Sequence, residues 1–493
     1  MSKLKDLLKK YPALSWILGF QIFRLGLLPF VGLMPQDAYY YLYGQNLSLS
    51  YFDHPGMIGY ALRLFSEILG QSVFVVKFTD FFITSLTLYS FYKLADLFLS
   101  QNRVWKALLL MTSTVFISIL SFNSTPDVPL ILFWTLSLIG LYKAIFEQKK
   151  VYWILAGIAM GLAFNSKYTA LLLQIGLIAF LVFSNKYRRL FLSPWLWLSL
   201  LISAAVTFPV WWWNYQNEFA SFAFQSTERT DTITEFKFRP ELFFGTLGHQ
   251  ALLLIPTLFW IFLVFSFKHV KKAVVKFKLP SQKTLFLLAF FVPTFVGFLL
   301  ISPVYWVKLN WMMPSYITGV LLASMYMGRK LLKAQLIMTI VFHFALALQV
   351  LFYLAPIKSD DTFVGWEELS EEVIKLKQQH PNAFVFSADG YKTSAVLNFY
   401  LDEKVYGKNI VGLPALHFDY LGDDLSLLNG KNAIYLDSDK RFKTPDKRNQ
   451  ILPKELNNHF TEVIELEPIF IKRGDKDIRK FWVYLCKEYR NHP

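Results

Sequence analysis

The sequence predicts a polytopic α-helical membrane protein, with about eleven transmembrane helices and a C-terminal soluble α/β domain. Three observations carry that prediction. Apolar residues make up 54% of the 493 positions and charged residues only 17%, where a soluble domain holds nearer a quarter charged. Apolar runs long enough to cross a bilayer recur as far as residue 355. Residues 356–493 then turn rich in Asp, Glu, Lys and Asn.

The expected spans lie near 12–33, 72–99, 104–122, 128–147, 151–164, 168–184, 194–213, 243–267, 284–302, 309–327 and 334–355. The fifth is short and reads as tilted or re-entrant, which is tolerated where protein shields the backbone from lipid. The loops set the orientation. With the N-terminus inside, the inner segments hold Lys9, Lys10, Arg103, Lys106, Lys149, Lys150, Arg188, Arg189, Lys271, Lys272, Arg329 and Lys330, among others. The outer connections hold only Arg63, Lys77, Lys167, Arg229, Lys237, Arg239 and Lys308. This excess follows the positive-inside rule and places residues 356–493 outside. It also accounts for the net charge of +15 without a nucleic-acid partner. No zinc-finger spacing, P-loop or dinucleotide glycine motif occurs, and the single cysteine, Cys486, excludes an internal disulfide framework.

In the C-terminal region, 366–379 reads as a helix, and 383–387, 433–437 and 481–486 read as strands. No internal repeat is visible, which counts against an inverted-repeat transporter. A transporter or flippase for lipid-linked sugars is the alternative class. Such proteins place ionisable residues near the bilayer midplane, whereas here the carboxylates fall in outer loops.

The first outer loop, 34–70, is the most informative. It contains Gln36, Asp37, Ala38, Tyr39 and Tyr40, then Tyr51, Phe52, Asp53, His54 and Pro55. The stretch 37–45 reads as an interfacial helix along the membrane surface, with Asp37 at its start. Two readings of Asp37 stand: a helix cap, or an acid–base group near an amphiphilic substrate. Asp127, between Pro126 and Pro129, likewise sits at a helix start, where the dipole favours an anion. Arg229, Lys308 and Lys167 are cations on a side poor in them, suited to a lipid phosphate. Arg24 falls inside the first span and must face the bundle and find a partner. His249 and His343 lack companions at metal-ligand spacing and read as packed.

These segments, in this order, resemble bacterial GT-C membrane glycosyltransferases, in the group of dolichyl-phosphate-mannose-protein mannosyltransferase-like proteins and the lipid A aminoarabinose transferase. The resemblance runs through Gln36–Tyr40, 51–55, 125–129, Ser166–Tyr168, Trp213 with Asn214, 221–225, Asn310 with Trp311, Gly365 with Trp366, and 398–400. It implies a GT-C-like fold in a bacterial inner membrane, with the C-terminal domain periplasmic. It further implies a transferase moving a sugar from a polyprenyl-phosphate donor to a lipid A, surface-glycan or protein acceptor. Relatives commonly carry Asp-Glu before the Ala-Tyr-Tyr-like stretch. Gln36 and Asp37 stand there, so the first acid is missing and the general-base role passes to Asp37. Asp53 joins it at the catalytic centre. His54, Arg229, Lys308 and Lys167 would meet the donor phosphate, while Tyr39, Tyr40, Asp127 and Asn310 would position substrate. Asp53 and Asp127 can hold a divalent cation or sugar hydroxyls, and the sequence leaves metal use open.

Overall fold

The computed structural model describes residues 12–228, 237–276, 278–357, 359–439 and 455–491, with positions 6, 8, 10 and 442. Five helices are long and apolar enough to cross a membrane: Pro12–Phe30, Val73–Phe98, Asp127–Ile145, Gln282–Ile301 and Arg329–Phe352. Three bent pairs bring the number to as many as eight. Val151–Ser166 and Tyr168–Phe183 are shorter apolar helices, and Met313–Tyr326 is a buried helix between longer ones. Each stretch expected to span is therefore helical, although not all are long enough to cross alone. The chain is a multi-pass membrane protein.

The largest departure falls on the expected span 243–267. The chain there forms two helices, Pro240–Leu254 and Pro256–Lys276, bent by 117°. Ile255 takes a left-handed φ of 68° and Pro256 follows, removing an amide from the helical ladder. Apolar composition runs unbroken through the bend, so hydropathy alone reads one span. His249 lies exposed on the first of these helices rather than packed. His343 is packed as expected, its ring beside Phe20 and Phe23.

The charge inside the first span also behaves as expected. Arg24 is fully buried and donates to Ser118 Oγ at 3.0 Å, Gln21 Oε1 at 2.7 Å and the Thr112 carbonyl at 2.5 Å. Ser118 Oγ in turn meets His343 Nε2 at 2.8 Å. A buried cation satisfied on every side in this way is structural.

The first loop forms the helices Pro35–Gln45 and Met57–Leu69. Residues 37–44 are all buried, because the first of these helices is packed between Met57–Leu69 and the helix Lys392–Tyr400 of the C-terminal region. Gly44 makes the closest crossing possible: a Cβ there would lie 2.7 Å from the Gly59 carbonyl oxygen.

The C-terminal region folds as a five-stranded mixed sheet with helices, as its composition predicts. Strands β1 (Phe384–Ser387), β2 (Val405–Tyr406), β3 (Ala433–Ser438), β4 (Phe460–Arg473) and β5 (Lys476–Tyr489) lie in the order β2-β1-β3-β5-β4. β1 pairs in parallel with β2 and β3, whereas β5 runs antiparallel to β3 and β4. The helix Trp366–Gln379 has the bounds read from sequence.

Candidate active site

Two buried polar clusters lie around the helix Pro35–Gln45, against which the helix Lys392–Tyr400 of the C-terminal region packs. The first surrounds Asp37. This residue enters the first turn of Pro35–Gln45 because its carboxylate accepts the otherwise orphaned Met34 amide at 2.7 Å. It also accepts from the Ser124 amide at 2.7 Å and forms an ion pair with Lys77. Lys77 donates as well to the Phe122 carbonyl at 2.7 Å. One turn along the same helix, Asp80 accepts from Ser124 Oγ at 2.6 Å. Asp37, Lys77 and Asp80 are each 0% exposed.

The second cluster lines a cavity of about 450 Å³ whose walls include Tyr40, Asp53, His54, Asp127, Lys167 and Lys308. Gln36, Asn310 and Trp311 lie on the same wall, and the C-terminal domain adds Tyr391 and Leu416. Asp127 opens the helix Asp127–Ile145, as its flanking prolines suggest. Its oxygens accept from Lys167 Nζ at 2.8 and 2.9 Å and from Asn310 Nδ2 at 2.6 Å. Asp53 is held differently. Tyr39 donates to its Oδ1 at 3.1 Å, and Tyr43 donates to the same oxygen. Its backbone carbonyl accepts from Gln225 Nε2 at 2.5 Å. Burial, then the Asp53 charge, raises the Tyr39, Tyr40 and Tyr43 hydroxyls above the usual phenol range, so all three stay protonated.

The cavity continues into an apolar groove of about 550 Å³. His54, Lys167 and Trp311 line both spaces. Beyond them the groove runs along Leu172, Ile175, Phe298 and Ile301, with Ile175 and Ile301 exposed to the surroundings of the bundle. Lys167 and His54 thus stand at the junction between a polar chamber and a greasy channel.

Most of the expected residues come together here: Asp53, His54, Lys167, Lys308, Tyr40, Asp127 and Asn310 all line the cavity. Asp37 and Tyr39 stand behind its wall. Arg229 lies outside the described residues. A divalent cation finds no ready-made cage, for no group of three or more His, Cys, Asp or Glu is arranged to hold one among the described residues.

Sequence reasoning missed Lys77, Asp80, Tyr43, Gln225, Tyr391 and His417. For the first two a signal existed, since Lys77 and Asp80 are ionisable groups inside an apolar run. The last two come from more than 300 residues away and carry no local mark.

Comparison with known proteins sets this geometry in a class. A family described as dolichyl-phosphate-mannose-protein mannosyltransferase matches residues 53–213. A lipid A galacturonosyltransferase, RgtD, of Rhizobium johnstonii is 24% identical over 207 residues, 41% of this chain and 43% of that protein. The match thus spans less than half of that relative's length. The crystal structure of ArnT from Cupriavidus metallidurans in the apo state superposes with a TM-score of 0.62 at 12% identity, over 96% of this chain and 98% of the other. The same protein bound to undecaprenyl phosphate gives a TM-score of 0.62 at 14% identity, over 96% and 97%. Over 96% of its length the chain therefore has the ArnT fold, and the matches together bear out the resemblance to GT-C membrane glycosyltransferases.

Proposed function

We propose that this protein transfers a sugar from a polyprenyl-phosphate donor to an acceptor hydroxyl in the ≈ 450 Å³ cavity, at the outer face of the bacterial inner membrane. The observation that carries the reading is the junction just described: an apolar groove leads from the outside of the bundle to Lys167 and His54 and opens there into the polar chamber. A polyprenyl tail in the groove leaves its phosphate beside Lys167 and His54 and its sugar in the chamber. The tail is already in an apolar solvent, so the groove fixes its position more than its affinity. The charged phosphate supplies the selectivity. ArnT, whose fold the chain shares, has been crystallised with undecaprenyl phosphate. The relative that acts on lipid A favours a lipid A or surface-glycan acceptor over a protein.

Asp53 is better placed than Asp37 to be the general base. A base must reach the proton it removes, and Asp53 lines the chamber while Asp37 is sealed behind it by Lys77, Ser124 and Met34. In the proposed reaction Asp53 takes the acceptor hydroxyl proton as that oxygen attacks the anomeric carbon. The bond from that carbon to the phosphate oxygen breaks with its electron pair, leaving polyprenyl phosphate and inverting the anomeric centre. Lys308 and Lys167 stabilise the charge that grows on the phosphate. Asp127, Asn310 and Tyr40 hold the sugar hydroxyls. The transporter reading loses ground, because Arg24, the charge inside the first span, is consumed by protein partners.

The test is transfer by the purified protein in lipid, with a panel of undecaprenyl-phosphate sugars and lipid A as acceptor. Covalent product from wild type, absent with Asp53→Asn at equal donor binding, is the expected result. Translocation of the donor in sealed vesicles without any covalent product would overturn the proposal.

A further inference from the structure

The C-terminal domain reaches into the site through one turn. Residues Leu416–Tyr420 form a short 3-10 segment, entered through Leu416 at a left-handed φ of 55°, a conformation that side chains other than glycine seldom adopt. The turn places Leu416 in the cavity wall and buries His417 to 2% exposure. The His417 ring packs edge-on against Tyr43 and Tyr51 at 4.9 and 4.8 Å. Tyr43 and Tyr51 are themselves stacked at 3.9 Å. Tyr420 packs on Phe52 at 5.1 Å and on Trp213 at 5.5 Å. Tyr391, from the neighbouring loop, stacks on Tyr39 at 4.4 Å.

The hydrogen bonds give this packing a direction. The His417 backbone N–H donates to the Tyr39 hydroxyl at 3.2 Å. That hydroxyl donates in turn to Asp53 Oδ1 at 3.1 Å. A hydroxyl has one proton to give. The hydroxyl accepts from the His417 amide and gives its single proton to Asp53. The second donor on that oxygen, Tyr43, is held by the His417 ring.

We propose that the 416–420 turn is a positioning clasp, by which the C-terminal domain orients the Asp53 carboxylate through Tyr39 and Tyr43. The inference rests on the reading of Asp53 as the base, and it makes the domain part of the catalytic machinery rather than a cover over it. His417, Tyr39 and Tyr43 are positioning residues: none needs to touch substrate. Asp53 also faces Tyr40 from the same helix, Tyr391 above, and Asp127, Lys167 and Lys308 around the cavity. A carboxylate that loses a hydroxyl donor becomes easier to protonate.

Tyr39→Phe keeps the ring and its stack on Tyr391 while removing the relay. It should lower kcat by about tenfold, the worth of one hydrogen bond, at unchanged donor KM. It should also move the acid limb of the pH–rate profile upward. Tyr43→Phe should do the same if Tyr39→Phe folds poorly. His417→Ala keeps the backbone N–H on Tyr39 and removes the ring packed on Tyr43; it should lower kcat in wild type and have less effect in the Tyr43→Phe background, since both act through the Tyr43 hydroxyl. A second readout does not depend on turnover: amide hydrogen exchange over 50–56 should rise in His417→Ala. Wild-type kcat and an unmoved acid limb in both tyrosine variants would overturn the clasp, even with transfer itself intact. If no donor in the panel is turned over, exchange decides alone, and unchanged protection of 50–56 in His417→Ala overturns it.

Discussion

Asp37 and Asp53 sit 16 positions apart in one loop, yet the fold treats them oppositely. Asp37 is 0% exposed and compensated by a buried lysine and two backbone amides. Asp53 is 8% exposed, accepts from the Tyr39 and Tyr43 hydroxyls and lines the edge of a chamber. The first arrangement binds the loop to the bundle. The second leaves a carboxylate oriented and facing space into which a substrate fits. A carboxylate next to a membrane is thus assigned by what satisfies it, not by its position in a motif.

The comparison breaks first at the chemistry. Asp53→Asn should cost roughly 10²–10⁴ in kcat, the range for a general base, with thermal stability kept within about 1 kcal/mol. Single-turnover transfer alongside thermal unfolding checks both halves. At Asp37 the effects should invert. Lys77→Met strands a buried carboxylate and should destabilise the protein by about 3–5 kcal/mol. The double variant Lys77→Met/Asp37→Leu should recover much of that loss, because an apolar pair of similar volume replaces both charges. Equal destabilisation in the single and double variants would dissolve the distinction.

Two smaller effects sharpen it. Gly44→Ala forces apart the two helices that carry Asp37 and the Asp53 loop, and should cost about 1–3 kcal/mol by overpacking, read as a lowered unfolding temperature. The smallest concerns pH. Burial lowers the His417 pKa from 6.5 to about 3, so the folded chain keeps this ring neutral while the unfolded chain protonates it near pH 6.5. The contribution to stability is complete above that pH and declines as pH falls from 6.5 toward 3. His417→Gln should flatten this part of the stability profile, measured by unfolding at stepped pH.

Much of this was legible in the sequence. Hydropathy placed a helix at every expected stretch, and the partnered burial of Arg24 follows from its cost in lipid. The same argument, applied to Lys77 and Asp80, would have found the cluster that claims Asp37. The resemblance to relatives points to Asp37 as the base through its place in the motif, and the proposed function moves that role to Asp53. The bend at Ile255 was hidden because apolar composition does not change across it, leaving only Pro256 as a cue. The strand β4 was missed for a similar reason: its residues are mostly half-exposed or exposed, so alternation is weak. The hold of His417 and Tyr391 on the 34–70 loop is tertiary and could not be read from local pattern.

The central claim is that a lipid phosphate rests where the apolar groove meets the polar chamber. A structure of the protein with undecaprenyl phosphate tests it directly. The phosphate should lie within hydrogen-bonding reach of Lys167 or Lys308, and the tail along Leu172, Ile175 and Phe298. A second apolar groove, of about 480 Å³, lies between Trp16, Phe20 and Phe344 at the first and last long helices. Lipid phosphate bound there, with the junction at Lys167 left vacant, would contradict the account.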